Sequence, residues 1–318
     1  MKKVVVKKVF GLGFCVVMLC AAPAFAEGTG EQTANVARDL QEIPDAKVGA
    51  YIAKSNALVE LLNESIPAVE SWQLYRSWVN LETGPVENDD NIAGLRPVGF
   101  AGDAIEKARQ SATAQPAIPP LDAATKELAE TLDRLVPIMN EAAAYYRRKD
   151  YLTDHMKGGK ELHAKLVPAA KAFLAARANA SQVLNQVKSS LDRRQLASIE
   201  KAEGKSLRWH KTNTMMLAKK AIDQTPRDPH NPGDLKAFDQ TLGEFGDAVR
   251  AYDSAVQKAG QPNAVSDRPS RILGSLREIR AMLDKDRVDE DDYDRQINAI
   301  VHMYNTVIDL SNRFGDRF

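Results

Sequence analysis

Three stretches of this chain carry apolar residues on a nearly strict seven-residue seam, and that spacing limits the fold more than any other feature. Leu121, Leu128, Leu135 and Ala142 interleave with Leu132, Met139 and Tyr146. Leu235, Leu242, Val249 and Val256 interleave with Phe238, Phe245 and Tyr252; Tyr293, Ile300, Val307 and Phe314 interleave with Ile297 and Tyr304. A period of about 3.5 residues keeps one stripe of a helix turned toward a neighbour, as in antiparallel bundles. The aromatic residues of the last two seams suit a thick bundle interior rather than a slender two-stranded coiled coil. Upstream, Val48, Ile52, Leu58, Leu62, Ile66 and Val69 fall on one helical face. Alternation with period two, the mark of a half-buried strand, is absent. The expected fold is all-α, a kinked antiparallel bundle of roughly seven or eight helices.

Breaks in the pattern are well marked. Thr83-Gly84-Pro85 through Pro97-Val98-Gly99 reads as a polar loop containing Glu87, Asp89 and Asp90, and Gln115 to Pro120 ends one helix and leads into the next, with Asp122 in its first turn. Thr225 to Gly233 holds three prolines and a glycine; it either joins two sub-bundles or turns one helix back. Gly260 to Pro269 forms another turn. Pro67, Pro137 and Pro168 interrupt periodic stretches, where a missing donor and a ring pressed on the preceding turn predict kinks or local helix starts.

The N-terminus supplies the address. MKKVVVKK is basic, Val9 to Ala22 is apolar, and Ala24-Phe25-Ala26 offers a small-x-small cleavage site before Glu27. These are the parts of a secretory signal peptide, residues 1–26, followed by a flexible tail over 27–44 and a helical domain over 45–318. An uncleaved anchor is disfavoured by Pro23 and the small-residue exit, and lipid anchoring through Cys20 by Leu19 immediately before it. Cleavage after Ala26 removes Cys15 and Cys20, and with them any thiol chemistry or disulfide. It also removes four lysines, so 43 basic against 43 acidic residues becomes 39 against 43, a formal net charge of −4. That balance argues against a nucleic-acid partner, which needs a basic face. No later apolar run approaches spanning length, so the mature chain is expected to be soluble, in the periplasm or secreted.

Chemistry-bearing residues concentrate between Tyr145 and His163, around Gly158-Gly159. Asp154, His155, Glu161 and His163 are candidate metal ligands, of a type that suits zinc or iron, where one helix ends and another begins. The competing reading is an inter-helix corner with packed tyrosines and solvated charges, and the spacing matches no paired-histidine zinc motif. Tyr145, Tyr146, Tyr151, Trp72 and Trp78 are candidates for a ligand or partner surface. Trp72, Tyr75 and Trp78 recur three residues apart, which on a helix more often means core. The acidic run Asp284, Asp286, Asp289, Glu290, Asp291, Asp292 and Asp294 fails the calcium-loop order and fits the start of the Tyr293 helix. His210, His230 and His302 are isolated. No nucleophile elbow, phosphate loop or dinucleotide fingerprint is present.

The run Ser71-Trp72 through Ser77-Trp78-Val79-Asn80-Leu81-Glu82-Thr83-Gly84-Pro85, then Pro116 to Asp122, then Tyr145-Tyr146 to Lys160-Glu161-Leu162-His163, resembles the YiiG-like family of bacterial envelope proteins. The resemblance covers most of residues 45–318 and implies an exported, largely helical protein. It brings no established activity, catalytic residue or cofactor, and some of its members are predicted lipoproteins, from which the leader of this chain departs.

These readings converge on a non-enzymatic envelope protein that acts through contacts with another protein or a cell-wall component, with no catalytic residue and no cofactor expected. The alternative is a ligand- or metal-binding bundle centred on Tyr145 to His163. A third is an enzyme whose residues meet only in three dimensions.

Overall fold

The computed structural model describes residues 40, 42–87, 91–99, 102–226, 228–260, 267–285 and 288–314. The leader with both cysteines, most of the tail, Asp89, Asp90 and Asp286 lie outside the described residues. Helices follow in the order α1 (Asp45–Glu64), α2 (Ile66–Trp78), α3 (Gly102–Thr113), α4 (Pro119–Arg148), α5 (Tyr151–Asp154), α6 (Lys157–Glu203), α7 (Leu207–Asp223), α8 (Lys236–Ala259), α9 (Arg268–Met282) and α10 (Glu290–Phe314). Among the described residues there is no strand, only an isolated bridge between Asn80 and Gly84. The protein is all-α, as the seams require. Nor is any helix among the described residues long and apolar enough to cross a membrane.

The chain forms two compact units, and the division falls inside helices, at Gly49/Ala50 in α1 and Ser190/Leu191 in α6. Thr225 to Gly233 therefore lies within one unit. It joins α7 to α8, which pack on each other, so its prolines turn one helix back. The boundary in α6 is silent in the sequence because helical periodicity runs through it unbroken.

In the unit that contains α7 to α10, the seam residues are the core. Phe238, Leu242, Phe245, Val249 and Tyr252 on α8 and Tyr293, Ile300, Tyr304 and Val307 on α10 are all buried, against Ile272, Leu276 and Ile279 of α9. The acidic run does start a helix: Asp289 accepts the Asp292 N–H at 2.8 Å through Oδ1. Asp284 reaches back to Arg280, which also pairs with Asp239 on α8.

In the unit that contains α2 to α5, the α4 seam is buried along its length, from Leu121 at 0% exposure to Tyr146 at 5%. Pro67 opens α2, whereas Pro137 and Pro168 sit inside unbroken α4 and α6. Arg177 of α6, buried, donates from Nε to Ser65 Oγ at the α1–α2 junction (3.0 Å). The N-terminus of α4 is held by charge: Asp122 Oδ2 accepts the Ile118 N–H at 2.9 Å, and Asp122 Oδ1 pairs with Lys54 Nζ of α1 at 2.9 Å. Lys54, its side chain 4% exposed, also donates to the Ala114 carbonyl. Removing one partner of a buried pair strands the other charge. Lys54→Ala is expected to destabilise the unit by about 3 kcal/mol in urea unfolding, and Lys54→Met, which keeps the apolar stem, by less.

Candidate functional site

The residue-rich segment from Tyr145 to His163 is the corner where α4 gives way to α6. Lys149 ends α4 in the left-handed conformation (φ 57°), α5 makes a single turn, and His155 and Met156 are again left-handed (φ 54° and 62°) before α6 begins. Asp154 governs that restart. Its carboxylate accepts the Gly158 N–H at 3.0 Å, the Tyr145 hydroxyl at 2.8 Å, and the N–H groups of Met156 and Lys157. Burial alone would push this carboxyl up, but those donors outweigh it and hold it below the usual carboxylate value. Asp154 thus satisfies the orphan amides at the start of α6.

The glycine pair has a steric reason. A Cβ at Gly158 would stand 2.8 Å from both Asp154 Oδ2 and Tyr145 Cε2; one at Gly159 would stand 2.6 Å from Met156 Sδ and 3.1 Å from the Tyr146 hydroxyl. Only bare backbone lets the first turn of α6 lie this close to the two tyrosines at the end of α4.

Above the corner runs the loop between α2 and α3, whose described parts are residues 79–87 and 91–99. Side chains pin it at several points. Ser71 Oγ donates to the Arg96 carbonyl (2.7 Å), and Trp78 Nε1 donates to the Gly94 carbonyl (2.9 Å). Asn140 of α4 exchanges two hydrogen bonds with the Val98 backbone, at 2.8 and 3.0 Å. Gly94 (φ 71°) passes so near α4 that an added Cβ would lie 3.1 Å from Tyr146 Cβ.

His163 lies beneath the turn at Asn80–Gly84. The Leu81 carbonyl accepts from its ring, and Tyr75 Oη lies 2.9 Å from Nδ1. A carbonyl can only accept, so the ring proton belongs on the nitrogen facing Leu81, and Nδ1 accepts the Tyr75 hydroxyl proton. Burial depresses the imidazole below its ordinary value of 6.5, which suits this neutral form. Tyr75 itself is pushed up to about 12 by burial.

The candidate residues therefore take separate tasks. Asp154 caps a helix, His163 supports the loop, Glu161 is exposed, and His155, also exposed, places Nδ1 at 2.6 Å from Glu87 Oε1. Among the described residues no three His, Cys, Asp or Glu side chains stand together as a metal site. Asp154 is engaged by backbone amides and the Tyr145 hydroxyl, His163 by Tyr75 and Leu81, and His155 faces Glu87, so the structure does not gather Asp154, His155, Glu161 and His163 at one point. The aromatic candidates do meet: Trp78 with Tyr146 at 5.2 Å between ring centroids and Tyr145 with Tyr146 at 5.1 Å, both edge-to-face, and Tyr146 with Tyr151 at 6.2 Å, tilted. Trp72 joins through Tyr75 at 5.9 Å. Trp72, Tyr145 and Tyr146 are buried, so they form core rather than an open platform; Trp78 and Tyr151 are half-buried.

A cleft of ≈ 200 Å³ lies between Ile92, Ala93, Gly94, Leu95 and Pro97 of the loop and Ala143, Tyr146 and Arg147 of α4. The sequence carried no sign of it, because it depends on where side chains hold an irregular loop. Elsewhere His230 Nε2 faces Glu290 Oε1 at 3.2 Å, His302 is exposed, and His210 is depressed by burial and by Lys205 and Lys258.

Fold and corner together define an all-helical protein with a loop clamped over the junction of two long helices. The chain belongs to the family described as "Protein of unknown function (DUF3829)", whose model matches residues 44–313. It is 24% identical over 279 residues to "Uncharacterized protein YiiG" of Escherichia coli (strain K12), covering 87% of this chain and 76% of that one. No solved structure matches it.

Two consequences are measurable. Gly158→Ala must displace the Tyr145 ring or the Asp154 carboxylate, and is expected to cost about 1–3 kcal/mol in urea unfolding. His163 has a depressed folded value, so its stabilising contribution is complete above 6.5 and is lost as pH falls through that depressed value. The stability of His163→Gln should fall less steeply than wild type over that window; equal slopes would contradict the assignment.

Proposed function

We propose that this chain is an exported, non-catalytic contact module of the bacterial envelope, acting on another protein or a cell-wall component. The observation that carries this reading is the use of the chemistry-rich corner. Asp154, His163, Tyr145 and Tyr75 bond one another or the backbone, and none of the four lines the cleft beside Arg147. A general base or nucleophile needs access to a substrate proton or carbon, and here burial and hydrogen bonding oppose it. The signal-peptide pattern of residues 1–26 supports export, and the mild acidic balance of residues 27–318 agrees with a partner other than nucleic acid. A ligand-binding bundle is the second reading, favoured by the cleft beside Arg147.

Crosslinking in intact cells, followed by fractionation, tests the first reading. The expected result is a reproducible crosslinked partner recovered from the envelope fraction. Recovery of monomer alone, or of chain confined to the cytoplasm, would count against it.

A further inference from the structure

The cleft between loop and α4 combines three features that belong together in peptide recognition. Its lining side chains are apolar apart from Arg147 and the Tyr146 hydroxyl, with Ile92, Leu95 and Pro97 from the loop and Ala143 and the Tyr146 ring from α4, while polar atoms supply the larger part of the surface it exposes. Its rim carries Arg147, which is exposed and makes no ion pair among the described residues, unlike its neighbour Arg148, which binds Asp150 at 2.6 Å. The loop wall is non-helical, and its backbone is only partly engaged. The carbonyls of Gly94 and Arg96 are taken by Trp78 and Ser71, whereas the N–H groups of Ile92 to Arg96 make no hydrogen bond among the described residues.

We propose that this cleft binds the C-terminal residue of a peptide. Arg147 holds the carboxylate, the apolar walls take a small or medium aliphatic side chain, and the loop N–H groups receive a peptide carbonyl. Guanidinium and carboxylate are matched in charge and in fork geometry. Backbone donors left unpaired in a loop can receive a peptide carbonyl, and capture of a C-terminal carboxylate is a recurrent recognition mode. At ≈ 200 Å³ the cleft is smaller than a drug-sized pocket and suits one terminal residue. Its shape is fixed beforehand by Asn140, Trp78 and Ser71, which lowers the ordering cost of binding. The inference rests on the contact-module reading and names its partner chemistry.

The test is calorimetric titration of the purified chain with N-acetyl-alanyl-leucine, with its C-terminal amide, and with octanoate, alongside amide shifts for residues 92–97. The acid is expected to bind saturably and to perturb those amides, and the amide form to bind at least about tenfold more weakly. Arg147→Gln should weaken the acid by a similar factor, Ala93→Trp should block it, and Arg148→Gln should leave it unchanged. Both substituted positions on the cleft are exposed, so folding can be checked independently by circular dichroism. Equal affinity for acid and amide, no effect of Arg147→Gln, tighter binding of octanoate than of the dipeptide acid, or no binding of the acid would each overturn the proposal. If in-cell crosslinking still captures a partner through Arg147→Gln, the contact-module reading stands and the cleft assignment alone fails.

Discussion

The constraint on which the N-terminal site depends is the close approach of α6 to the end of α4, possible only because residues 158 and 159 have no side chains. With Tyr145 against Gly158 and the Tyr146 hydroxyl beside Gly159, the two helices meet through backbone on one side and aromatic rings on the other. Asp154 can then reach the first amides of α6 while holding the Tyr145 hydroxyl. One turn further along, His163 is placed where it can support the loop through Leu81 and bind Tyr75. Each of these contacts presupposes the one before it.

The same arrangement decides what the polar residues can do. A metal needs several unengaged lone pairs converging on one point. Here the lone pairs of Asp154 and His163 turn toward backbone amides and tyrosine hydroxyls, and His155 makes a separate surface contact with Glu87. A segment with histidines, carboxylates and tyrosines in close sequence proximity thus folds into a structural joint. Polar groups so engaged stiffen the joint, because leaving any one of them unpaired would cost more than its bond contributes. The DUF3829 family model spans residues 44–313, nearly the whole described chain.

Much of this was legible in the sequence. The seven-residue seams named the buried faces of α4, α8 and α10, since residues such as Leu128, Phe245 and Tyr304 have no other way to leave water together. Pro119-Pro120 and Asp122 marked the start of α4, and the acidic run marked the start of α10. The division within α6 was not legible, because it is a property of which helices pack together and leaves no break in local pattern. The role of Asp154 was hidden for a different reason: capping depends on two consecutive left-handed residues whose φ values nothing in His155 or Met156 announces. The cleft was hidden too, since Asn140 clamps a backbone 42 residues away.

Direct observation of the His163 imidazole by nitrogen-15 NMR tests the central claim, that the corner is a satisfied structural joint. At neutral pH the ring should be neutral, protonated at the nitrogen facing Leu81, with Nδ1 shifted as a hydrogen-bond acceptor, and stoichiometric zinc should leave both nitrogens unmoved. A ring that is charged at neutral pH, or that shifts together with His155 on adding zinc, would contradict it.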